Sequence, residues 1–182
     1  EILPLAVAEL KLVFAAHGRA DFVEIAQGAS AALGEAEAPT DLLLSLDYRI
    51  HHLLVDEFQD TSFTQFELLE KLTAGWQPED ARTLFLVGDP MQSIYRFREA
   101  EVGLFLRARH GGIGSVALEP LTLSVNLRSQ ADIVEWVNGA FEQVMPRAED
   151  IAAGAVPYTR CEPQKPAESA AVGVHAFFDG DA

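Results

Sequence analysis

The sequence predicts an α/β fold in which a parallel sheet is flanked by helices. Two short apolar runs, 50–55 and 83–87, are typical of buried strands, because a parallel strand covered on both faces is continuously hydrophobic. Around them, apolar residues recur at three- and four-residue spacings, as in helices. Strands that alternate with helices imply a parallel sheet.

The helices and loops of the first half follow from local signals. Residues 1–34 are predicted to be helical with a break near His17-Gly18, and a loop is expected up to Thr40. Thr40 or Asp41 can cap a short helix that runs to Leu46. The remaining expectations are a capping box at Ser62–Gln65, a helix that stops at Gly75 and a helix over 99–109.

The second half is predicted with fewer elements. The segment 115–124 is expected to be extended, and 129–132 opens an amphipathic helix that ends before Pro146. The composition of 149–170 indicates a loop or linker, and 172–178 is a candidate last strand.

Composition limits the cellular setting. The chain has 182 residues, 49% of them hydrophobic, which suffices for one domain or one and a half with a core. The single cysteine, Cys161, excludes an internal disulfide and fits a reducing cytoplasm. No apolar stretch approaches the roughly 18–20 residues that span a bilayer. Because the first residue is Glu1 and not Met, we also expect a piece excised from a longer protein.

The formal net charge of −15 disfavours nucleic acid as a partner when it is taken alone. Contact depends on the local patch, however, and global charge governs long-range steering. Five arginines fall in one short region: Arg96, Arg98, Arg107, Arg109 and Arg128.

Two adjacent carboxylates, Asp56 and Glu57, end the first predicted strand. Ligands bind past the carboxyl ends of parallel strands. In nucleotide hydrolysis one carboxylate holds the Mg²⁺ that bridges the phosphates, and the other orients or deprotonates the attacking water. The alternative is an acidic loop after a strand.

Polar groups also follow the second predicted strand, at Asp89 and Gln92. If the two strands are neighbours, both sets point into one crevice. An amide such as Gln92 can contact a γ-phosphate oxygen without adding charge.

Tyr95 and Phe97 then alternate with Arg96 and Arg98. Rings stack on the bases of single-stranded nucleic acid, worth roughly 1–3 kcal/mol each, while guanidinium groups meet phosphates. The alternative is that the rings belong to the core and the arginines pair with nearby glutamates.

Arg128 stands just before a predicted helix. From there it can reach a phosphate as an arginine finger, which stabilises charge in the transition state. The alternative is a surface ion pair.

Three stretches occur in a characteristic order: LVDEFQDT at 54–61, VGDPMQSIYRFR at 87–98 and LSVNLRS at 123–129. Together they resemble motifs II, III and IV of the UvrD/Rep/PcrA-type superfamily 1 DNA helicases. The segment before the first stretch looks most like the helicase–nuclease branch, the AddA- or RecB-like proteins. The resemblance covers about residues 40–145.

The resemblance implies a RecA-like P-loop NTPase motor core, present in part, with ATP and Mg²⁺ as cofactors. Asp56 would help hold Mg²⁺, and Glu57 would act on the hydrolytic water. Gln92 would sense the γ-phosphate and couple it to the DNA groove. Arg128 would contact the γ-phosphate from a second motor domain.

The resemblance also implies DNA, single-stranded and duplex, as the partner, together with a second helicase–nuclease subunit. Tyr95, Arg96, Phe97 and Arg98 would lie along the single strand, with Phe97 the base-stacking ring. Two departures bear on these contacts. Glu99 replaces the usual glycine of the family, and Leu127 replaces an aromatic residue.

A phosphate loop is missing from these residues, because none of Lys11, Lys71 and Lys165 follows a glycine. We therefore expect an internal fragment, inactive by itself, of an ATP-dependent DNA helicase that acts in recombination or repair. Its expected parts are a helical lead-in at 1–40, the second half of the first motor domain at 41–120 and the start of the second at 121–182. The alternative is a catalytically inactive helicase-like module that binds a partner or serves a structural role.

Overall fold

The computed structural model describes residues 2–35, 38–95, 101–168 and 172–176. Helices and short strands alternate along the chain, so the protein is mixed α/β. The helices are α1 (Ile2–His17), α2 (Phe22–Leu33), α3 (Asp41–Arg49), α4 (Phe63–Thr73), α5 (Val102–Gly111) and α6 (Ala131–Val144). The strands are β1 (Gly34–Glu35), β2 (Ala38–Pro39), β3 (His52–Val55), β4 (Thr83–Leu86), β5 (Val125–Gln130) and β6 (Glu162–Lys165).

The amino-terminal helices break where the sequence predicts. Helix α1 ends at His17, and Gly18 adopts a φ of 60°, a left-handed conformation that glycine reaches without steric cost. Asp21 then caps α2, its Oδ1 accepting the Glu24 N–H at 2.7 Å. The predicted loop before Thr40 instead contains a minimal antiparallel pair, β1 with β2.

Side-chain caps set the next two helices. Thr40 Oγ1 accepts the Leu43 N–H at 3.3 Å and starts α3, which runs to Arg49, beyond the predicted end. Both halves of the predicted capping box are present at α4, where Ser62 and Gln65 satisfy each other's backbone N–H groups.

Strands β3 and β4 form a parallel pair with α4 between them in the chain. The register places His52 opposite Thr83 and Val55 opposite Leu86. Hydrogen bonds continue past both ends of the ladder, from Thr83 N–H to the His51 carbonyl and from Val87 N–H to the Val55 carbonyl. The predicted parallel pairing is confirmed.

The prediction that these strands are buried on both faces is wrong. Leu53, Val55, Leu84 and Leu86 face the core, but the alternate side chains are exposed, Leu54 by 68% and Phe85 by 56%. The strands therefore have one packed and one open apolar face, and a continuous hydrophobic run does not distinguish that arrangement from full burial.

One hydrophobic core lies under the packed face. It joins the short 3₁₀ turn after β3 to helices α4 and α5, and its buried members are Phe58, Phe66, Leu69, Leu104, Ala108 and Ile113. Since α5 supplies two of these residues, its position fixes the side of the sheet on which the core forms.

Arg82 anchors the amino end of β4. Its guanidinium group pairs with Asp47 of α3 and with Asp80, and it lies 5.3 Å from the centroid of the Trp76 ring. The hydrogen bond from Arg82 lowers the pKa of the Asp80 carboxyl group below its ordinary value. The clasp joins the loop before β4 to α3 at the edge of the sheet opposite the strand ends.

A second parallel pair, β5 with β6, packs beside α6. Asn138 of α6 is buried; its amide donates to the Cys161 carbonyl and its oxygen accepts from the Tyr158 hydroxyl and the Cys161 N–H. The prediction of a loop or linker over 149–170 is therefore wrong in part, because β6 lies within it.

Two further expectations fail in the second half. The segment 115–124 contains no named strand, and its Val116 makes only an isolated bridge to Ile113. Residues 172–176 form no strand either, while the rest of that predicted strand lies outside the described residues. Within the described residues, no helix is at once long enough and apolar enough to cross a membrane.

Leu104→Ala should lower the free energy of unfolding by about 3 kcal/mol, because it opens a cavity where a core side chain is only 1% exposed. The matched control is Leu54→Ala on the open face, expected to change it by less than about 1 kcal/mol. Urea unfolding followed by circular dichroism measures both. Equal effects would contradict the assignment of the packed face.

Candidate functional site

The ends of β3 and β4 meet at one edge of the first sheet. Because the strands are parallel and in register, Asp56 and Val87 follow paired residues. The Phe58 N–H donates to the Val87 carbonyl at 2.8 Å, which joins the two chain segments just beyond the ladder. The predicted convergence of the two polar strand ends is therefore present.

Glu57 adopts a left-handed backbone conformation, with φ 52° and ψ 39°. Such a conformation is uncommon for a residue with a side chain and persists where surrounding contacts enforce it. Its N–H donates to Asp56 Oδ1 at 2.9 Å, and the following 3₁₀ turn, Phe58–Asp60, begins directly after it. Asp56 and Glu57 are both exposed, so two adjacent carboxylates stand open to a ligand.

Gln59 bridges the two strand ends. Its side chain is almost completely buried; Nε2 donates to Glu57 Oε2 at 2.6 Å, and Oε1 accepts the Asp89 N–H at 3.0 Å. Gly88 makes room for this amide, since a Cβ there would lie 2.5 Å from Gln59 Oε1. The sequence placed Gln59 only in the surroundings of the site, and its burial beside two exposed carboxylates is visible only in three dimensions.

Asp89 organises the turn after β4. One carboxylate oxygen accepts the Met91 N–H at 3.0 Å, and the other accepts from Gln92 Nε2 at 2.7 Å. The Ser93 hydroxyl donates to Asp60 Oδ1 at 3.2 Å and forms another link between the two strand ends. Gln92 is exposed and held at the same edge as Glu57.

The carboxylates suit a magnesium ion bound together with phosphates. Mg²⁺ keeps most of its waters and takes one or two protein carboxylates, with substrate phosphates completing the shell. Asp56 and Glu57 supply hard oxygen ligands of that kind. Within the described part of the chain, no three His, Cys, Asp or Glu side chains form a closed cage for a metal.

The other predicted site residues lie elsewhere or outside the description. Tyr95 is exposed three residues beyond Gln92, whereas 96–99, which include Arg96, Phe97 and Arg98, fall outside the described residues. Arg128 is exposed on β5, and its hydrogen bonds, through the backbone to Asn126 and Lys165, stay within the second sheet. Leu127 beside it is also exposed.

Comparisons with known proteins place this geometry among relatives. A family model described as the UvrD/REP helicase N-terminal domain matches residues 5–111. The AddA-type ATP-dependent helicase/nuclease subunit of Exiguobacterium sibiricum is 37% identical over 146 residues, which cover 78% of this chain and 12% of that relative. The protein of the same name from Bacillus velezensis is 40% identical over 109 residues, covering 59% of this chain and 9% of the relative. The chain thus spans about a tenth of the length of these relatives.

Glu57→Gly should be more stable than Glu57→Ala by about 1 kcal/mol, because only glycine adopts positive φ without strain. The matched control is the same pair of substitutions at Glu67, an exposed residue inside α4. There the order should reverse by about 1 kcal/mol, since glycine weakens a helix interior. Urea unfolding of the four variants measures both differences, and the same order at both positions would contradict the left-handed assignment.

Proposed function

Because the chain belongs to the UvrD/REP helicase N-terminal domain family, we propose that it is part of an ATP-dependent DNA helicase. The parent enzyme couples ATP hydrolysis to movement along single-stranded DNA and acts in recombination or repair. The observation that carries the proposal is the hydrogen-bonded meeting of two polar strand ends, at Glu57 and at Asp89, on one sheet edge. The alternative of an inactive module is not favoured, because the matched relatives are named as ATP-dependent enzymes.

The chain supplies parts of a RecA-like motor core in this proposal. Residues 41–120, with β3, α4, β4 and α5, form the second half of the first motor domain. Residues 121–182 begin the second motor domain, and 1–40 are a helical lead-in from an inserted subdomain. The parallel pairs β3–β4 and β5–β6, each beside helices, support this division.

Hydrolysis takes place at the edge formed by the two strand ends. Asp56 helps hold Mg²⁺, which neutralises charge on the phosphates when it is bound. Glu57 orients the attacking water and accepts its proton. The water oxygen bonds to the γ-phosphorus, the bond to the bridging oxygen breaks, and ADP leaves with that electron pair.

Two further residues read and stabilise the γ-phosphate. Gln92 contacts it by its amide and couples its presence to the DNA track that follows in the chain. Arg128 approaches from the second motor domain as an arginine finger. Arg128 is exposed and its side chain takes no part in the described hydrogen bonds of β5, which leaves the guanidinium group available for a phosphate.

Single-stranded DNA lies along 95–98. Tyr95 follows the nucleotide edge directly, and Phe97 stacks on a base while Arg96 and Arg98 meet phosphates. The relatives are named as helicase/nuclease subunits, which supports both nuclease activity in the parent and pairing with a second subunit. The cytoplasm, where DNA and ATP are available, is the proposed location.

Glu57→Gln in the full-length protein should lower the kcat of DNA-stimulated ATP hydrolysis about 100-fold or more, because the amide cannot accept the proton of water. Glu67→Gln, an exposed carboxylate on α4, is the matched control and should hydrolyse ATP at the wild-type rate. Steady-state phosphate release with and without single-stranded DNA measures both. Equal rates for wild type and Glu57→Gln would overturn the role of Glu57.

The 182-residue chain alone should show no detectable ATP hydrolysis. It contains no Gly-Lys-Ser or Gly-Lys-Thr, so the backbone cradle and lysine that hold the triphosphate are missing from it. Phosphate release by the purified chain measures this. Turnover that Asp56→Ala abolishes would contradict the expectation, because it would show a complete site within these residues.

A further inference from the structure

We propose that Gln59 is a positioning residue: its buried amide aims the Glu57 carboxylate and ties it to the segment that carries Gln92. The inference rests on the proposed function, because aiming Glu57 matters only if Glu57 acts on water. The observation beneath it is independent of function. One buried side chain bonds to a group at the end of each of the two strands.

Both ends of the amide are engaged. Gln59 is 2% exposed, Nε2 lies 2.6 Å from Glu57 Oε2, and Oε1 lies 3.0 Å from the Asp89 nitrogen. The first bond needs a donor because a carboxylate only accepts, and the second needs an acceptor because a backbone N–H only donates. An amide satisfies both without adding charge beside Glu57 and Asp89.

The backbone of Gln59 is held as firmly as its side chain. Phe58 is 1% exposed in the core, and its N–H donates to the Val87 carbonyl at 2.8 Å. The Asp60 N–H donates to the Glu57 carbonyl at 2.9 Å and closes the turn. Gly88 leaves the space that the amide fills. Gln59 is therefore a fixed point against which an exposed glutamate can be oriented.

A continuous series of hydrogen bonds runs from Glu57 to Gln92. It passes through the Gln59 amide to the Asp89 N–H, and the Asp89 carboxylate then accepts from Gln92 Nε2 at 2.7 Å. A change in the position of Gln92 on contact with the γ-phosphate is thereby transmitted to the carboxylate that acts on water. Gln59 is the middle of that series.

Two variants of Gln59 separate its bonds. Gln59→Met keeps the length of the side chain and removes both bonds. Gln59→Glu keeps an acceptor for the Asp89 N–H but, when ionised, loses the donor and repels Glu57. When protonated, the new carboxyl group donates again, so its deficit should shrink as the pH falls.

The experiment measures kcat and KM for ATP in the full-length protein with single-stranded DNA. Gln59→Met should lower kcat about tenfold or more with KM within about threefold, since a group needed only for the chemical step is misplaced. The kcat of Gln59→Glu relative to wild type should rise between pH 8.5 and pH 6, tested at those values as about a threefold change or more. The ratio for Gln59→Met should stay constant over the same range.

Hydrogen exchange gives a readout that does not depend on activity. The Asp89 amide should exchange faster in Gln59→Met and remain protected in Gln59→Glu, which keeps the acceptor. The matched control is Asn138→Leu, which removes another buried amide from the second sheet. It should lower thermal stability while leaving kcat per folded molecule and exchange at Asp89 unchanged.

The outcomes separate this inference from the proposed function. If Glu57→Gln is inactive and Gln59→Met retains the wild-type kcat, the positioning role is overturned and the helicase proposal stands. A loss in Gln59→Met that appears only in KM, or a pH-independent deficit in Gln59→Glu, also overturns the role. If Glu57→Gln hydrolyses ATP at the wild-type rate, the proposed function of this edge fails first.

Discussion

The parallel ladder between β3 and β4 is the constraint on which the rest of this structure depends. Parallel strands deliver their carboxyl ends to the same edge of a sheet, and the register of Val55 with Leu86 brings the next residues side by side. Every contact at the candidate site follows from that alignment. A shift of two residues would keep each side chain on its face but would move Asp89 away from the Gln59 amide.

Local conformation follows from the same alignment. Glu57 is held in the left-handed region because Phe58 must turn at once to fill the core and to pair with Val87. Gly88 follows for the complementary reason, because a side chain there would collide with Gln59. The strain at Glu57 and the missing side chain at Gly88 are two sides of one close approach between the strand ends.

Signals within a few residues of each other made most of the fold predictable. Thr40 and the Ser62–Gln65 box cap helices as expected, and the polar strand ends meet as expected. Expectations failed where distant contacts decide. Leu54 is exposed although its run is apolar, and β6 pairs with β5 although Glu162–Lys165 contains proline and charges. Proline is tolerated because β6 contributes few ladder bonds in a two-stranded sheet.

The composition of the site shows why its centre is uncharged. Glu57, Asp60 and Asp89 bring three carboxylates to one edge, and like charges at that spacing repel. Each is instead given a neutral donor: Glu57 the Gln59 amide, Asp60 the Ser93 hydroxyl and Asp89 the Gln92 amide. Lysine or arginine donors would neutralise the edge and compete with Mg²⁺ for its carboxylates. Neutral donors orient the carboxylates and leave their negative charge to bind a cation and to accept a proton.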